Sequence, residues 1–299
     1  PSRGLGDVYK RQLAYRPPYA WAKILKFLAG RAITGIEVVN NDEYLRTVKL
    51  QNAEGQQFCG WVRVGHRPAE NTLSVTVSES LLPVLPEVLA RIKNLFDLYC
   101  EPKAVYETLQ VMNTLQPGLC VLGTRLPGCF NVFEMSVRAV LGQQITVKAA
   151  STLAARLVAA YGTQVQTGIE GLTHSFPAPA AILALGENIS EHLGKLGIIS
   201  ARANTIYQLA RVLADEKNDF GFWGNPEEEM QKLQSIRGIG SWTAQYIAMR
   251  AMGWPDAFLP TDAGIKKALP DHTPKELQAL SEAWRPWRSY ATVNLWNTL

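Results

Sequence analysis

The chain has 299 residues, 47% of them hydrophobic, with 30 Lys+Arg against 26 Asp+Glu and a formal net charge of +4. That length suits about two domains with cores of their own, and so slight a charge excludes a bulk polyanion binder and leaves room only for a local nucleic-acid surface. No apolar run approaches a membrane span, and Cys59, Cys100, Cys120 and Cys129, with His66, His174, His192 and His272, show no zinc spacing. Free thiols in a reducing cytoplasm are the expectation.

Residues 1–12, "PSRGLGDVYKRQ", are Gly-rich and charged and lack the apolar core of a signal peptide. They read as a non-native leader or linker, a native disordered arm being the alternative, and are set aside from the fold. Residues 13–102 read as an α+β domain. "WAKILKFLAGRAI" sets Ile24, Phe27, Leu28 and Ile33 near helical spacing. "GWVRVG" alternates, as does "TLSVTVSES" with Leu73, Val75 and Val77 on one face, the period of a half-buried strand. "LPEVLARIKNLFDLY" carries an apolar helical stripe. This order suggests a small antiparallel sheet with helices on one face.

From about Tyr106 the signal is nearly all helix. "NVFEMSVRAVLGQQITVKAASTLAARLVAAYG" repeats apolar residues at three- and four-residue steps, and "GTQVQTGIEGLTHSFPAPA" interrupts it with Gly and Pro. "SARANTIYQLARVLAD" is a further helix with Ser200 as its expected N-cap, and "NDFGFWGNPEEEM" is a loop. Residues 231–299 are mildly basic, with 8 Lys+Arg and 5 Asp+Glu.

"LQSIRGIGSWTAQYIAMRAMG" divides into the end of one helix at Leu233 and Ile236, a turn over Arg237–Gly240, and a second helix expected to be capped by Ser241. Ala244, Ile247, Ala248 and Ala251 fall at i, i+3, i+4 and i+7. Gly238 and Gly240 are free to take positive φ. The amides at the second helix's N-terminus then favour an anion, and a DNA phosphate suits them. Gly238, Gly240, Ser241 and Thr243 are the candidate contacts. An ordinary αα-hairpin with glycine for close packing is the competing reading of a bare GxG. Asp262, after "FLPT", has a competing reading too, since it or Thr261 can simply cap the helix begun by "AGIKKAL".

Taken together, "LQSIRGIGSWTAQYIAMRAMGWPDAFLPTDAGIKKAL" resembles the helix-hairpin-helix and following Gly/Pro-Asp segment of a DNA glycosylase superfamily, the 3-methyladenine DNA glycosylase II type above all. "PPYAWAKILKFLAGRAI", "RLPGCFNVFEMSVRAVLGQQITVKAA" and "RPWRSYATVNLW" extend the likeness from residue 13 almost to the end. The resemblance implies an α+β fold: a small TATA-binding-protein-like sheet domain over 13–102, one helical lobe from 103–131 and 255–299, and another over 132–254 that carries the helix-hairpin-helix at 233–251.

The resemblance also implies roles. Asp262 falls on the catalytic aspartate, which stabilises the oxocarbenium-like sugar formed when an alkylated, cationic purine leaves, and orients or deprotonates the attacking water. Trp242, Tyr246, Trp296 and Phe27 match the aromatic residues that hold the extruded base, where an electron-rich cage suits a cation. Gln144 stands where the family inserts a leucine wedge, with Ile145 as its competitor, and Asn297 replaces an aromatic neighbour of Trp296. Trp242 also occupies the place of the lysine that relatives with strand-nicking activity use to form a Schiff base, so a monofunctional enzyme is implied. No cofactor is required, and the backbone carbonyls of Gln234, Ile236 and Ile239 offer a site for a structural Na+ or K+. The implied partner is double-stranded DNA containing alkylated bases, met by a cytoplasmic, nucleoid-associated monomer. A non-catalytic helix-hairpin-helix DNA-binding module and a bifunctional glycosylase/AP lyase are the alternatives; Asp262 with its aromatic neighbours opposes the first, and Trp242 the second.

Overall fold

A computed structural model describes residues 8–214 and 225–299. Its N-terminal part is a five-stranded antiparallel sheet of order β1-β5-β4-β3-β2, formed by β1 (Val8–Ala14), β2 (Glu37–Asn40), β3 (Glu43–Gln51), β4 (Gln57–Arg67) and β5 (Thr72–Ser78). Residues 8–12 therefore do not stand outside the fold as expected: they pair with β5 from Val8 opposite Ser78 to Gln12 opposite Ser74. Their mixed charge disguised an edge strand whose outward side chains are mostly exposed. The expected alternation in β5 holds, with Leu73, Val75 and Val77 fully buried. They share a core with Ile24, Phe27 and Leu28 of α1 (Trp21–Ala29) and with Val88 and Ile92 of α2 (Leu85–Leu95).

The other face of the sheet is covered as well. The Gly- and Pro-broken segment of the sequence runs from the helical part back onto it, carrying β6 (Thr163–Gln164) and β7 (His174–Ser175). Leu172 packs on Leu45 and Trp61, and Thr47 donates its hydroxyl to the His174 carbonyl at 2.7 Å. A sheet with residues such as Trp61 on its second face cannot leave that face to water.

The helices then follow in order: α3 (Pro102–Leu109), α4 (Val132–Leu141), α5 (Val147–Tyr161), α6 (Pro179–Leu183), α7 (Ile189–Gly194), α8 (Ser200–Leu213), α9 (Pro226–Gln234), α10 (Ser241–Arg250), α11 (Ala263–Ala268), α12 (Pro274–Ser281) and α13 (Arg288–Trp296). The long helical reading after Asn131 breaks at Gly142–Thr146, where Thr146 caps α5 through the Ala149 amide at 3.2 Å. Ser200 is not a cap: Ile199 holds that position and Ser200 opens α8 without a side-chain cap bond. Of the "NDFGFWGNPEEEM" loop, residues 218–224 lie outside the described residues; Asn225 caps α9.

One helical core gathers α4 to α10, with Ala244, Ile247, Ala248 and Ala251 on its inner side as their spacing predicts. A second core joins α3 to α11, α12 and α13. A buried charge network ties the sheet domain to α4. Arg138 donates to Glu37 (2.5 Å), Glu134 (2.6 Å) and the Arg31 carbonyl (2.9 Å), while Arg46 reaches Glu134 at 2.7 Å. Burial works against charge on Glu37, but Arg138 and Arg46 hold its carboxyl below the usual range. Three buried charges and the half-buried Arg138 are tolerable because each is partnered, and removing one would strand the others.

Candidate active site

Asp262 ends the turn before α11 and is 8% exposed. Its Oδ1 accepts from the Gly264 and Ile265 amides at 2.9 and 3.0 Å, so it is indeed the N-cap of that helix. The same carboxylate also accepts from two indoles: Trp296 Nε1 lies 2.8 Å from Oδ1, and Trp242 Nε1 lies 3.0 Å from Oδ2. The capping reading and the catalytic one therefore fall on one side chain. Four N–H donors converge on it, and an ionised carboxylate, which only accepts, satisfies them all. Oδ1 takes three of these bonds and Oδ2 one, which leaves Oδ2 with acceptor capacity to spare.

The four expected aromatic residues stand together. Trp242 and Tyr246, one turn apart on α10, stack with centroids 5.1 Å apart at 16°. Tyr246 is 6.1 Å from Trp296, which lies 5.9 Å from Phe27 at 20°. The rings come from α1, α10 and α13. Trp296 packs against both the sheet-domain core and the α3/α13 core, and Tyr246 against both helical cores. The cage thus forms where three hydrophobic cores meet. α13 is anchored there by Arg288, whose guanidinium binds the buried Asp256 carboxylate at 2.8 and 2.9 Å.

Two residues that sequence reasoning missed join the rings. Arg31 lies with Cζ 3.7 Å from the Phe27 centroid, and Arg250 donates to the Tyr246 hydroxyl at 2.8 Å. Burial resists the Tyr246 phenolate, but Arg250, Arg31 and Arg138 overcome it and set the hydroxyl below its usual range. Both arginines sit four residues after the ring they touch, so helical spacing was an available signal.

The hairpin divides the expected glycine roles. Gly238 has φ +95, and a Cβ there would come within 2.1 Å of Thr205 Oγ1, which itself donates to the Arg237 carbonyl at 2.9 Å. Gly240 does not take positive φ. At φ −92 it is ordinary extended backbone at the N-cap of α10, and a Cβ would meet nothing. Ser241 is exposed and is the first residue of α10 rather than its cap, with no side-chain cap bond to its amides. Helix amides without a side-chain cap favour an anion. Thr243, by contrast, is buried, and its hydroxyl accepts from Gln143 Nε2 at 2.9 Å. The same Nε2 reaches the Gly238 carbonyl at 2.9 Å. Gln143 thereby joins the hairpin to the α4–α5 loop, at whose tip Gln144 is exposed with φ 55. Ile145 beside it is partly buried.

Residues 10–131 match the AlkA N-terminal domain, and residues 137–286 match the HhH-GPD superfamily of base excision DNA repair proteins. The chain belongs to that superfamily, as a base-excision DNA glycosylase of the helix-hairpin-helix class. Within it, the chain is 36% identical over 286 residues to DNA-3-methyladenine glycosylase 2 of Escherichia coli, covering 96% of each. It is also 36% identical over 293 residues to a probable bifunctional transcriptional activator/DNA repair enzyme AlkA of Mycobacterium tuberculosis, covering 96% of this chain and 56% of that one. The 3-methyladenine DNA glycosylase of Archaeoglobus fulgidus shares the fold, with a TM-score of 0.77 at 21% identity over 96% of this chain and 97% of that one.

Proposed function

We propose that this chain is a monofunctional glycosylase that draws an alkylated, cationic purine such as 3-methyladenine out of duplex DNA and hydrolyses its N-glycosidic bond. The observation that carries the reading is Asp262, held by two indole N–H groups and two helix amides at the edge of a four-ring cage. Ring faces attract a cationic base by ~0.5–2 kcal/mol per good contact. When the bond to C1′ breaks, its electron pair leaves with the base and the sugar becomes cationic. A carboxylate already oriented by its donors stabilises that charge without reorganising. Water then adds to C1′ with Oδ2 as proton acceptor.

Duplex DNA is gripped at the phosphates by the amides of α10 beside Gly238 and Gly240, and Gln144 at the loop tip fills the gap left by the extruded base. Thr243 serves this grip through Gln143 rather than by touching a phosphate. The Gln234 and Ile239 carbonyls accept no hydrogen bond among the described residues and the Ile236 carbonyl accepts one, from the Ile239 amide at 3.0 Å. That set fits a monovalent cation, whose charge would favour a phosphate at the same turn. Trp242 at the position of the lyase lysine supports a product that is an abasic site with an intact strand. The enzyme acts as a monomer in the cytoplasm, at the nucleoid; no helix among the described residues is long and apolar enough to cross a membrane.

The test is incubation of wild type and Asp262→Asn with methylated duplex DNA. Wild type should release 3-methyladenine, and the variant should bind the duplex yet release it at least about a hundredfold more slowly. Equal release by both would refute the role of Asp262. Release by neither would favour a binding module, and a borohydride-trapped adduct would favour a lyase.

A further inference from the structure

A cage suited to a cation already holds two of its own. Arg31 Cζ is 3.7 Å from the Phe27 centroid and 5.7 Å from that of Trp296; Arg250 Cζ is 4.8 Å from Phe27 and 5.6 Å from Tyr246. Among the described residues neither guanidinium forms a salt bridge. Arg250 is satisfied by neutral oxygens instead: the Pro127 carbonyl at 2.5 Å, the Gly128 carbonyl at 3.2 Å and the Tyr246 hydroxyl at 2.8 Å. Arg31 donates a long bond to the Phe27 carbonyl, at 3.4 Å, and lies beside the Tyr246 hydroxyl. If tight binding of a positive base were the only task, two resident positive charges would defeat it.

Catalysis resolves the conflict, because only interactions that improve between ground state and transition state raise the rate. The glycosidic bond breaks heterolytically. Its electron pair goes to the base, which loses one positive charge, and that charge appears on C1′ and the ring oxygen of the sugar. The two ends of the site are charged to suit this transfer. Trp296 carries Asp262 at its Nε1 edge, and Arg31 Cζ stands over its ring 5.7 Å from the centroid. Burial, helped by the Arg250 charge, holds the Arg31 pKa below its ordinary value against the opposing pull of Tyr246 and, more weakly, Asp262.

We propose that Arg31, backed by Arg250, is a specificity-determining residue that repels positive charge on the base and so drives it toward the sugar beside Asp262. This rests on the glycosylase reading above. It has a consequence for substrate range. A cationic purine leaves neutral and a neutral purine leaves as an anion, so the charge on the base changes by one unit in each case. The guanidinium therefore favours departure of both. It weakens ground-state binding of the cationic base alone. The same cage accordingly serves neutral purines that the ring faces bind less well.

Single-turnover kinetics on duplexes with one 7-methylguanine (cationic) or one hypoxanthine (neutral) test this, using wild type, Arg31→Met and Arg31→Lys. Arg31→Met should lower the limiting rate about tenfold on both lesions, a change of ~1.4 kcal/mol. It should also lower the half-saturating enzyme concentration several-fold on 7-methylguanine and not on hypoxanthine, the pattern of relieved ground-state strain. Arg31→Lys, which keeps the charge, should stay near wild type. A faster Arg31→Met enzyme would make Arg31 a plug and overturn the proposal. So would unchanged kinetics, or equal losses in Met and Lys variants with no shift in half-saturation. If wild type spares hypoxanthine, the rate and half-saturation on 7-methylguanine still decide; if it releases neither base, the glycosylase reading itself has failed. Should Arg31→Met not fold, Arg31→Gln repeats the loss of charge.

Discussion

Trp296 Nε1 lies 2.8 Å from Asp262 Oδ1, which binds the last helix to the cap of α11 across 34 residues of sequence. The indole is thus a ring of the cage and a donor to the carboxylate at once. Trp296→Phe keeps the first role and deletes the second. A hydrogen bond to a charged acceptor contributes roughly 1.5–3 kcal/mol, so base release should slow about tenfold or more while lesion binding changes little. Separate measurement of the single-turnover rate and the half-saturating concentration checks this; loss of binding alone would mean the ring face is the whole contribution.

Gly264 is held open by the same pair. A Cβ there would lie 2.8 Å from Trp296 Cδ1 and 3.0 Å from both Trp296 Nε1 and Asp262 Oδ1. Gly264→Ala should push the indole off the carboxylate, with at least about a tenfold loss of base release. Overpacking of this kind costs ~1–3 kcal/mol of stability, so the variant should still fold, as a thermal melt would register. An alanine enzyme of normal rate would show that the indole contact is dispensable.

At the hairpin, Gly238→Ala meets both a steric and a conformational barrier, with Thr205 Oγ1 at 2.1 Å and φ at +95. Affinity for undamaged duplex should fall about tenfold, read by fluorescence anisotropy. Adding Thr205→Ala removes the close contact and should restore part of the loss. The remainder, ~1 kcal/mol or more, belongs to the positive φ that alanine resists. Full restoration by the second change would show that φ is unimportant there.

Asp97 sets a pH dependence away from the site. It accepts from the Leu126 amide and the Tyr290 hydroxyl, each at 2.9 Å, yet burial pushes its carboxyl up to about 6 from an ordinary 3.8. The folded state therefore holds a proton that the unfolded chain has released between those values. The associated stability, at most about 3 kcal/mol, is complete below the unfolded pKa and is lost as pH rises through the folded one. Urea unfolding from about pH 4 to pH 7 should show wild type losing stability relative to Asp97→Asn over that interval and holding level above it. A difference that is constant, or that grows with pH, would contradict this.

Much of the architecture was legible locally. Alternation fixed the burial of Leu73, Val75 and Val77, and three- and four-residue spacing fixed the inner side of α10, because each pattern repeats the geometry of a single element. The edge strand at residues 8–12 escaped notice because an edge need bury little and so carries weak periodicity. The covering of the second sheet face by the segment around Leu172 escaped for a related reason, since a Gly-broken run has no period to read.

At the active centre the division is sharper. Sequence alone determined that a glycine turn, an acid and several large aromatic residues were present, and through family likeness that Asp262, Trp242, Tyr246, Trp296 and Phe27 belong together. Tertiary structure alone decided that two indole N–H groups hold the carboxylate, that Gln143 ties the hairpin to the α4–α5 loop, and that Arg31 and Arg250 lie against the rings. The reason is physical. A helix or strand is specified by neighbours a few residues apart, whereas a charge's partners here arrive from α1, α10 and α13, and only the packing of three cores brings those helices to one point.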